Sequence, residues 1–106
     1  MSMPIDITWT DYAKFSYFEE LDFIDKKWTL KEVENFIVLV EDFIKQLSSR
    51  VIQGKFYTNN DIYSVVISKQ TTVFYRTYPK QNSIALLLFW NNQKNPNSLK
   101  RLLKQV

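Results

Sequence analysis

Residues 5–10 alternate in polarity, with Ile5, Ile7 and Trp9 apolar and Asp6, Thr8 and Thr10 polar. A period of two is that of a strand with one buried face, and Pro4 just before it suits a strand start or edge. From Asp11 to Trp28 the period lengthens. Ala13, Tyr17, Leu21, Ile24 and Trp28 recur every three or four residues, which predicts an amphipathic helix with Thr10 or Asp11 as its N-cap. Phe15, Phe18 and Phe23 lie off that stripe. Two readings follow: a helix wedged between two elements, or a helix whose extra aromatic face meets a partner.

Thr29-Leu30-Lys31-Glu32 has the capping-box pattern, in which the threonine hydroxyl meets an orphan amide of the first turn. Val33, Phe36, Ile37, Val40, Phe43, Ile44 and Leu47 follow at helical spacing, so a second helix runs to about Ser48–Arg50. The short link between the two helices predicts an antiparallel hairpin.

Val51 to Asp61 reads as a connecting loop. It holds the only glycine, Gly54, and ends in the turn-forming Asn59-Asn60-Asp61. Ile62–Ser68 and Thr71–Tyr78 are β-branched and aromatic, with Lys69-Gln70 joining them and a turn at Pro79–Asn82 following. Ser83 to Trp90 is apolar at nearly every position, as expected of a central strand covered on both faces. The polar stretch Asn91–Asn97 follows. Leu99, Leu102, Leu103 and Val106 then share one face and Lys100, Arg101 and Lys104 another, which reads as a short basic helix or tail. The resulting order is β-α-α-β-β-β with a short C-terminal helix. It predicts one α+β domain over residues 1–106, an antiparallel sheet covered on one face by the helical hairpin.

Composition narrows the chemistry. The chain has no cysteine and no histidine, which removes disulfides, Cys- or His-ligated metals and His-assisted nucleophiles. No cofactor or metal is expected. The N-terminus lacks the basic and apolar regions of a signal peptide, and no apolar run reaches the ~18 residues of a membrane span, so a cytosolic protein without membrane contact is expected. The formal charge of +3 permits an acidic or polyanionic partner.

In order and spacing these segments resemble the RelE/ParE toxins of bacterial type II toxin–antitoxin pairs. Trp9-Thr10 and Ala13 are similar to that family's opening strand and first helix, and Gly54-Lys55 to a Gly-Lys pair before its sheet. Ile62-Tyr63, Phe74-Tyr75-Arg76 and Leu88-Phe89-Trp90 resemble its strand signatures. Asn92 and Pro96-Asn97-Ser98-Leu99 resemble its closing segment. The resemblance implies a growth inhibitor neutralised by a cognate antitoxin that lies over its helices and sheet edge. Departures bear on the mechanism. Thr72, Ser64 and Gln93 stand where mRNA-cleaving relatives often hold Arg, and Leu99 where a Tyr or His is usual. Asn91 replaces a frequent Asp, and Val51 and Ile52 occupy the place of a proline.

RNA cleavage by 2′-OH attack needs a base, a group that stabilises phosphate charge, and an acid for the leaving group. Arg76 is the foremost candidate for phosphate, because arginine contacts phosphate oxygens in pairs, with Lys69 and Lys94 beside it. Lys55 is a further phosphate candidate, and proton transfer falls to Tyr75, Tyr78 or a carboxylate, since a lysine near pKa ~10.4 is a poor base. Glu19-Glu20 and Glu41-Asp42 read as solvated helix faces. Candidates for binding a target are Asn91, Asn92 and Gln93 at the end of the last strand, Lys55, and Lys100 and Arg101 on the C-terminal helix. Two functions are expected to compete: a ParE-like toxin that binds and poisons a protein, DNA gyrase being the target associated with that family, and a RelE-like nuclease acting on mRNA at the ribosome.

Overall fold

The structure, a computed structural model, describes residues 3–58 and 60–105. Asn59 of the expected turn and Val106 of the expected C-terminal helix lie outside the described residues. The element order is β1 (Asp6–Trp9), α1 (Asp11–Lys27), α2 (Leu30–Ser48), β2 (Lys55–Thr58), β3 (Ile62–Val66), β4 (Thr71–Tyr78), β5 (Ser83–Asn91) and α3 (Pro96–Gln105), with a 3-10 turn at Pro79–Gln81.

Both long helices begin where the sequence predicts. The Thr10 hydroxyl accepts from the Ala13 amide at 3.0 Å, and Thr29 accepts from Glu32 at 3.4 Å, so each satisfies an orphan N–H of the first turn. α2 ends at Ser48, and just past its cap residue Ser49 the chain turns at Arg50, whose φ of 64° is left-handed. The Val51 amide then turns back to the Gln46 carbonyl at 2.9 Å, satisfying one of the last free carbonyls of the helix. α3 starts at Pro96, three residues before the apolar periodicity begins. Asn95 Oδ1 accepts from the Asn97 amide at 2.9 Å, and proline at the first helical position costs no hydrogen bond.

The sheet has five strands in the order β1-β5-β4-β3-β2, and it is mixed where an antiparallel sheet was expected. β2 to β5 form an antiparallel meander, whereas β1 lies parallel to β5, Asp6 opposite Ser83 and Trp9 opposite Leu86. The reason lies in the path of the hairpin. α1 continues along β5 in the direction of β1: Thr10 meets Leu86, Ser16 meets Phe89 and Glu20 meets Asn91. α2 returns the chain to the start of β1, where the Ile5 amide donates to the Ser48 carbonyl at 2.8 Å. Tight turns impose antiparallel pairing only within the meander; the helical hairpin joins β1 to the first strand of that meander, and β1 pairs in parallel with the last.

β2 corrects the expected loop at 51–61. Its pattern is too short to show a period. Its strand character comes from across the sheet, where Phe56 packs edge-on against Tyr63 with ring centroids 5.6 Å apart and Tyr57 against Phe74 at 5.0 Å. Phe56 and Tyr63 are directly opposite in the ladder, and such a cross-strand pair contributes about 0.2–1 kcal/mol; Tyr57 instead reaches past β3 to a ring of β4.

β5 explains its own apolar run. Phe74 pairs with Leu88 and Tyr75 with Leu86, so Leu87 is an extra residue, a β-bulge. Ile84, Leu86 and Phe89 face the helices; Ala85, Leu87, Leu88 and Trp90 face the other way, toward α3. The bulge is held from α1 and its cap. Thr10 Oγ1 donates to the Leu86 carbonyl at 3.0 Å, and the Phe89 amide donates to Ser16 Oγ at 2.9 Å. Helices therefore cover the strand on both faces.

Gly54 sits against the sheet at one point of close approach. Its amide donates to Tyr75 Oη at 2.7 Å. A Cβ there would lie 2.6 Å from that oxygen and 2.9 Å from the Ser64 carbonyl. Gly54→Ala should therefore lower stability by about 1–3 kcal/mol through overpacking, read as a lower urea midpoint at unchanged slope.

Burial raises the pKa of Tyr75, opposed by the Gly54 hydrogen bond and assisted by the nearby Tyr63. Burial also raises Tyr17 and Tyr12, helped by Glu41 and Glu19 respectively. These phenols keep their protons to higher pH when folded than when unfolded. Their contribution is thus intact below the ordinary value near 10 and falls away as pH rises through the folded values. Unfolding free energy should be flat up to about pH 10 and decline above it, less steeply in Tyr75→Phe; a wild-type titration flat to pH 11 would contradict this.

Candidate functional site

Charge is segregated along the chain. Residues 51–106 hold eight Lys and Arg against one carboxylate, Asp61, whereas residues 1–50 hold six against ten. The basic half builds the meander and α3. Where α3 crosses the second face of the sheet, its Leu103 packs with Ile62 and Phe74, and a cleft of about 570 Å3 opens between it and the strands. Tyr57 of β2, Asn60 of the following turn, Ile62 of β3, Arg76 of β4, and Lys100, Leu103 and Lys104 of α3 line it.

Register explains the assembly. Arg76 lies opposite Ile62 on the face away from the hairpin, and its Nε donates to the Asn60 carbonyl at 3.2 Å. Lys55 is opposite Ser64, and Ser64 opposite Phe74, which places Lys55 on the same face. Lys100 and Lys104 are four residues apart on α3 and so project together. The result is a half-open cleft with an apolar floor, three cationic side chains and a phenol, and no carboxylate among its described lining residues. Such a site suits phosphate or carboxylate oxygens.

The sequence candidates fall into two groups. Arg76 and Lys100 meet in the cleft, whereas Lys55 shares that face of the sheet but does not line the cleft. Arg101 is exposed on α3 and does not line the cleft. Lys69, Asn91, Asn92, Gln93 and Lys94 gather at the opposite end of β4, where Thr71 pairs with Asn91. Five residues of strand separate Thr71 from Arg76, about 17 Å at 3.4 Å per residue. Arg76 therefore does not share one phosphate with Lys69 and Lys94. The second group is bonded into the fold. Asn92 takes the Thr72 hydroxyl at 2.8 Å and donates to the Lys69 carbonyl at 3.2 Å. Asn91 Oδ1 accepts the Gln93 amide at 2.9 Å. Lys94 lies 3.8 Å from Glu19 and over the Trp90 ring.

Two further expectations change. Glu20 is not solvated; it is 3% exposed, and its carboxyl accepts the Thr71 hydroxyl and, at 3.0 Å, the Asn91 amide. Tyr75 is buried on the helix face, away from the cleft, and Tyr78 is not among its lining residues. Tyr57 takes their place there. Sequence reasoning missed it because β2 read as loop, although Lys55 and Tyr57 stand two apart as strand neighbours on one face do.

No family model matches the sequence, and no curated protein matches it. Solved structures do share its fold. A chain of the chromosomal ParDE TA system of P. aeruginosa superposes with a TM-score of 0.69 at 12% identity, covering 85% of this chain and 98% of that one. A chain of the toxin–antitoxin complex RelBE2 of Mycobacterium tuberculosis gives 0.56 at 13% identity, over 89% and 98%. The isolated RelE toxin of E. coli gives 0.53 at 12% identity, over 96% and 99%. Nearly the full length of each matched chain is covered, by a β-α-α-β-β-β-β-α order with a mixed five-stranded sheet: the chain has the fold of the ParE and RelE toxin structures.

Proposed function

We propose that the protein is the toxin of a type II toxin–antitoxin pair, and that it inhibits growth by binding a cellular target through the cleft between α3 and the sheet. The observation that carries this is the cleft itself, lined by Arg76, Lys100, Lys104 and Tyr57 and lacking a carboxylate among its described lining residues. Three cations and an apolar floor favour capture of an anionic surface. Cleavage of RNA needs a base as well, and among its described lining residues the cleft offers a phenol and lysines for that role. Binding is therefore the better-supported reading, with a gyrase-type protein as target; mRNA cleavage on the ribosome is the alternative. The similar folds in ParDE and RelBE2 support a cognate antitoxin as the neutralising partner.

Two assays on the purified chain separate the readings. One is gyrase supercoiling; the other is translation of a reporter mRNA with mapping of its 5′ ends. Blocked supercoiling with intact mRNA is expected. Codon-spaced cuts in ribosome-bound mRNA would overturn the binding mechanism in favour of the nuclease. If neither assay responds and induced expression leaves growth unchanged, the toxin assignment fails.

A further inference from the structure

A second cavity, of about 600 Å3, lies where the turn between α1 and α2 meets the turn between β3 and β4. Small-molecule sites are commonly about 300–1,000 Å3 with an apolar lining and a few convergent polar groups. Here the floor is the buried Ile24 and Phe36, and the walls are Trp28 and Leu39, 44% and 37% exposed. Packing within the chain thus leaves an indole and an isobutyl group partly turned to open space.

The rim decides which chemistry fits. Glu32 and Asn35 of α2 and Gln70 of the β3–β4 turn stand there. The backbone beneath them is already tied down. Ser68 Oγ accepts the Gln70 and Thr71 amides at 3.3 and 3.1 Å, and the Gln70 carbonyl accepts the Asn92 amide at 2.6 Å. Thr29 caps α2 through the Glu32 amide, yet the Glu32 carboxylate does not complete the capping box by reaching back to the Thr29 amide. That carboxylate and the side-chain amides of Asn35 and Gln70 make no hydrogen bond or ion pair with the described residues. Glu32 is also the one charged residue among the described residues lining the cavity. The Trp28 ring adds a preference of the same sign. Lys27 Nζ lies over it, 5.3 Å from the centroid, and an aromatic face attracts an ammonium.

We propose that this cavity binds a small aromatic primary amine, its ring between Trp28, Phe36 and Leu39 and its ammonium at Glu32. An ammonium carries three N–H donors and no acceptor. The carboxylate accepts one, and the carboxamide oxygens of Asn35 and Gln70 stand at the same rim for the others. An acid of the same shape meets Glu32 as a like charge, which discriminates against it. The cavity shares no lining residue with the cleft. Its floor also belongs to the helix face of the sheet, whereas Ile62 and Leu103 of the cleft belong to the other. The inference therefore stands independently of the proposed target.

The test titrates the full chain with three probes of similar shape, 2-phenylethylamine, 2-phenylethanol and phenylacetate, followed by amide and indole N–H shifts in NMR. The amine should shift the Trp28 indole and the amides of Glu32, Asn35 and Gln70 in a saturable way. It should bind about fivefold more tightly than the alcohol, the size of a good ion pair at an exposed site, and at least about tenfold, 1.4 kcal/mol, more tightly than phenylacetate. Glu32→Gln should erase the preference for the amine over the alcohol and leave the alcohol's own affinity unchanged. Glu34→Gln, two positions along α2 and thus about 200° around it, should leave the preference intact. Trp28→Ala or Leu39→Ala should weaken amine and alcohol alike, with circular dichroism checking that each variant stays folded. Phenylacetate binding as well as the amine, a Glu32→Gln variant that keeps the preference, or no saturable shift from the amine would overturn the inference. So would amine shifts spread over the carboxylates of both helices, which would mean surface ion pairing without a site.

Discussion

Glu20→Ala is expected to lower the unfolding free energy by about 3 kcal/mol or more. The carboxyl is buried between α1 and the sheet, and its two partners, the Thr71 hydroxyl and the Asn91 amide, are themselves 0% and 4% exposed. Alanine leaves both without that acceptor, at about 1–3 kcal/mol for each buried group left unsatisfied, and opens a void whose lining loses its contacts. For a chain of this size the melting temperature should fall by about 12 °C or more. Glu20→Gln provides the contrast. Its carbonyl can still accept from Asn91, and its NH2 can donate to Thr71 Oγ1 once that hydroxyl rotates. The loss should stay within about 1 kcal/mol. If alanine costs no more than glutamine, the network is not what locks the end of β5 to α1.

Arg76→Glu combined with Lys100→Glu is expected to abolish growth arrest. Both side chains line the cleft, and reversing two of its three cations turns attraction for an anionic surface into repulsion. A fall of about a hundredfold in affinity for the target, 2.7 kcal/mol, would restore colony counts on induction to those of an empty vector. Neither side chain is in the core, so melting should change little. The matched control is Lys69→Glu with Lys94→Glu. These lysines lie beyond the other end of β4, and their reversal should leave arrest intact. Arrest surviving the first double variant and disappearing with the second would move the functional surface to the Asn91–Lys94 end and remove the cleft from the mechanism.

The candidate site was only partly legible before the fold was known. Arg76 stood out for its chemistry, and Lys100 for its place on a basic helix face. Lys104 was visible on the same face through its four-residue spacing, a signal that could have assigned it to the site. Tyr57 was hidden, because β2 is four residues long and its partners lie elsewhere in the chain. The Asn91–Lys94 segment misled in the other direction. Its polar side chains suggest a binding loop, yet Asn91 and Asn92 bond to Glu20, Thr72 and Lys69 and tie strand ends together. Glu20 shows the same limit. Beside Glu19 it reads as half of a solvated acidic pair, but the two are 100° apart around the helix, and one of them faces the sheet.

Local patterning by itself determined both long helices, the Thr29 cap of the second and a choice of Thr10 or Asp11 for the first, the strands β1, β3, β4 and β5, and a β5 covered on both faces. Each of these rests on interactions between residues close in sequence, or on a periodicity that burial must obey. Only the tertiary structure decided the rest. The parallel union of β1 with β5 depends on where the hairpin returns the chain. β2 exists because Tyr63 and Phe74 await it across the sheet. The Leu87 bulge lets four apolar residues face α3. The cleft exists because strand register and the seating of Leu103 bring Tyr57, Arg76, Lys100 and Lys104 together, from elements separated by up to 47 positions in the chain. Such contacts join residues far apart in sequence, and no window along the chain records them.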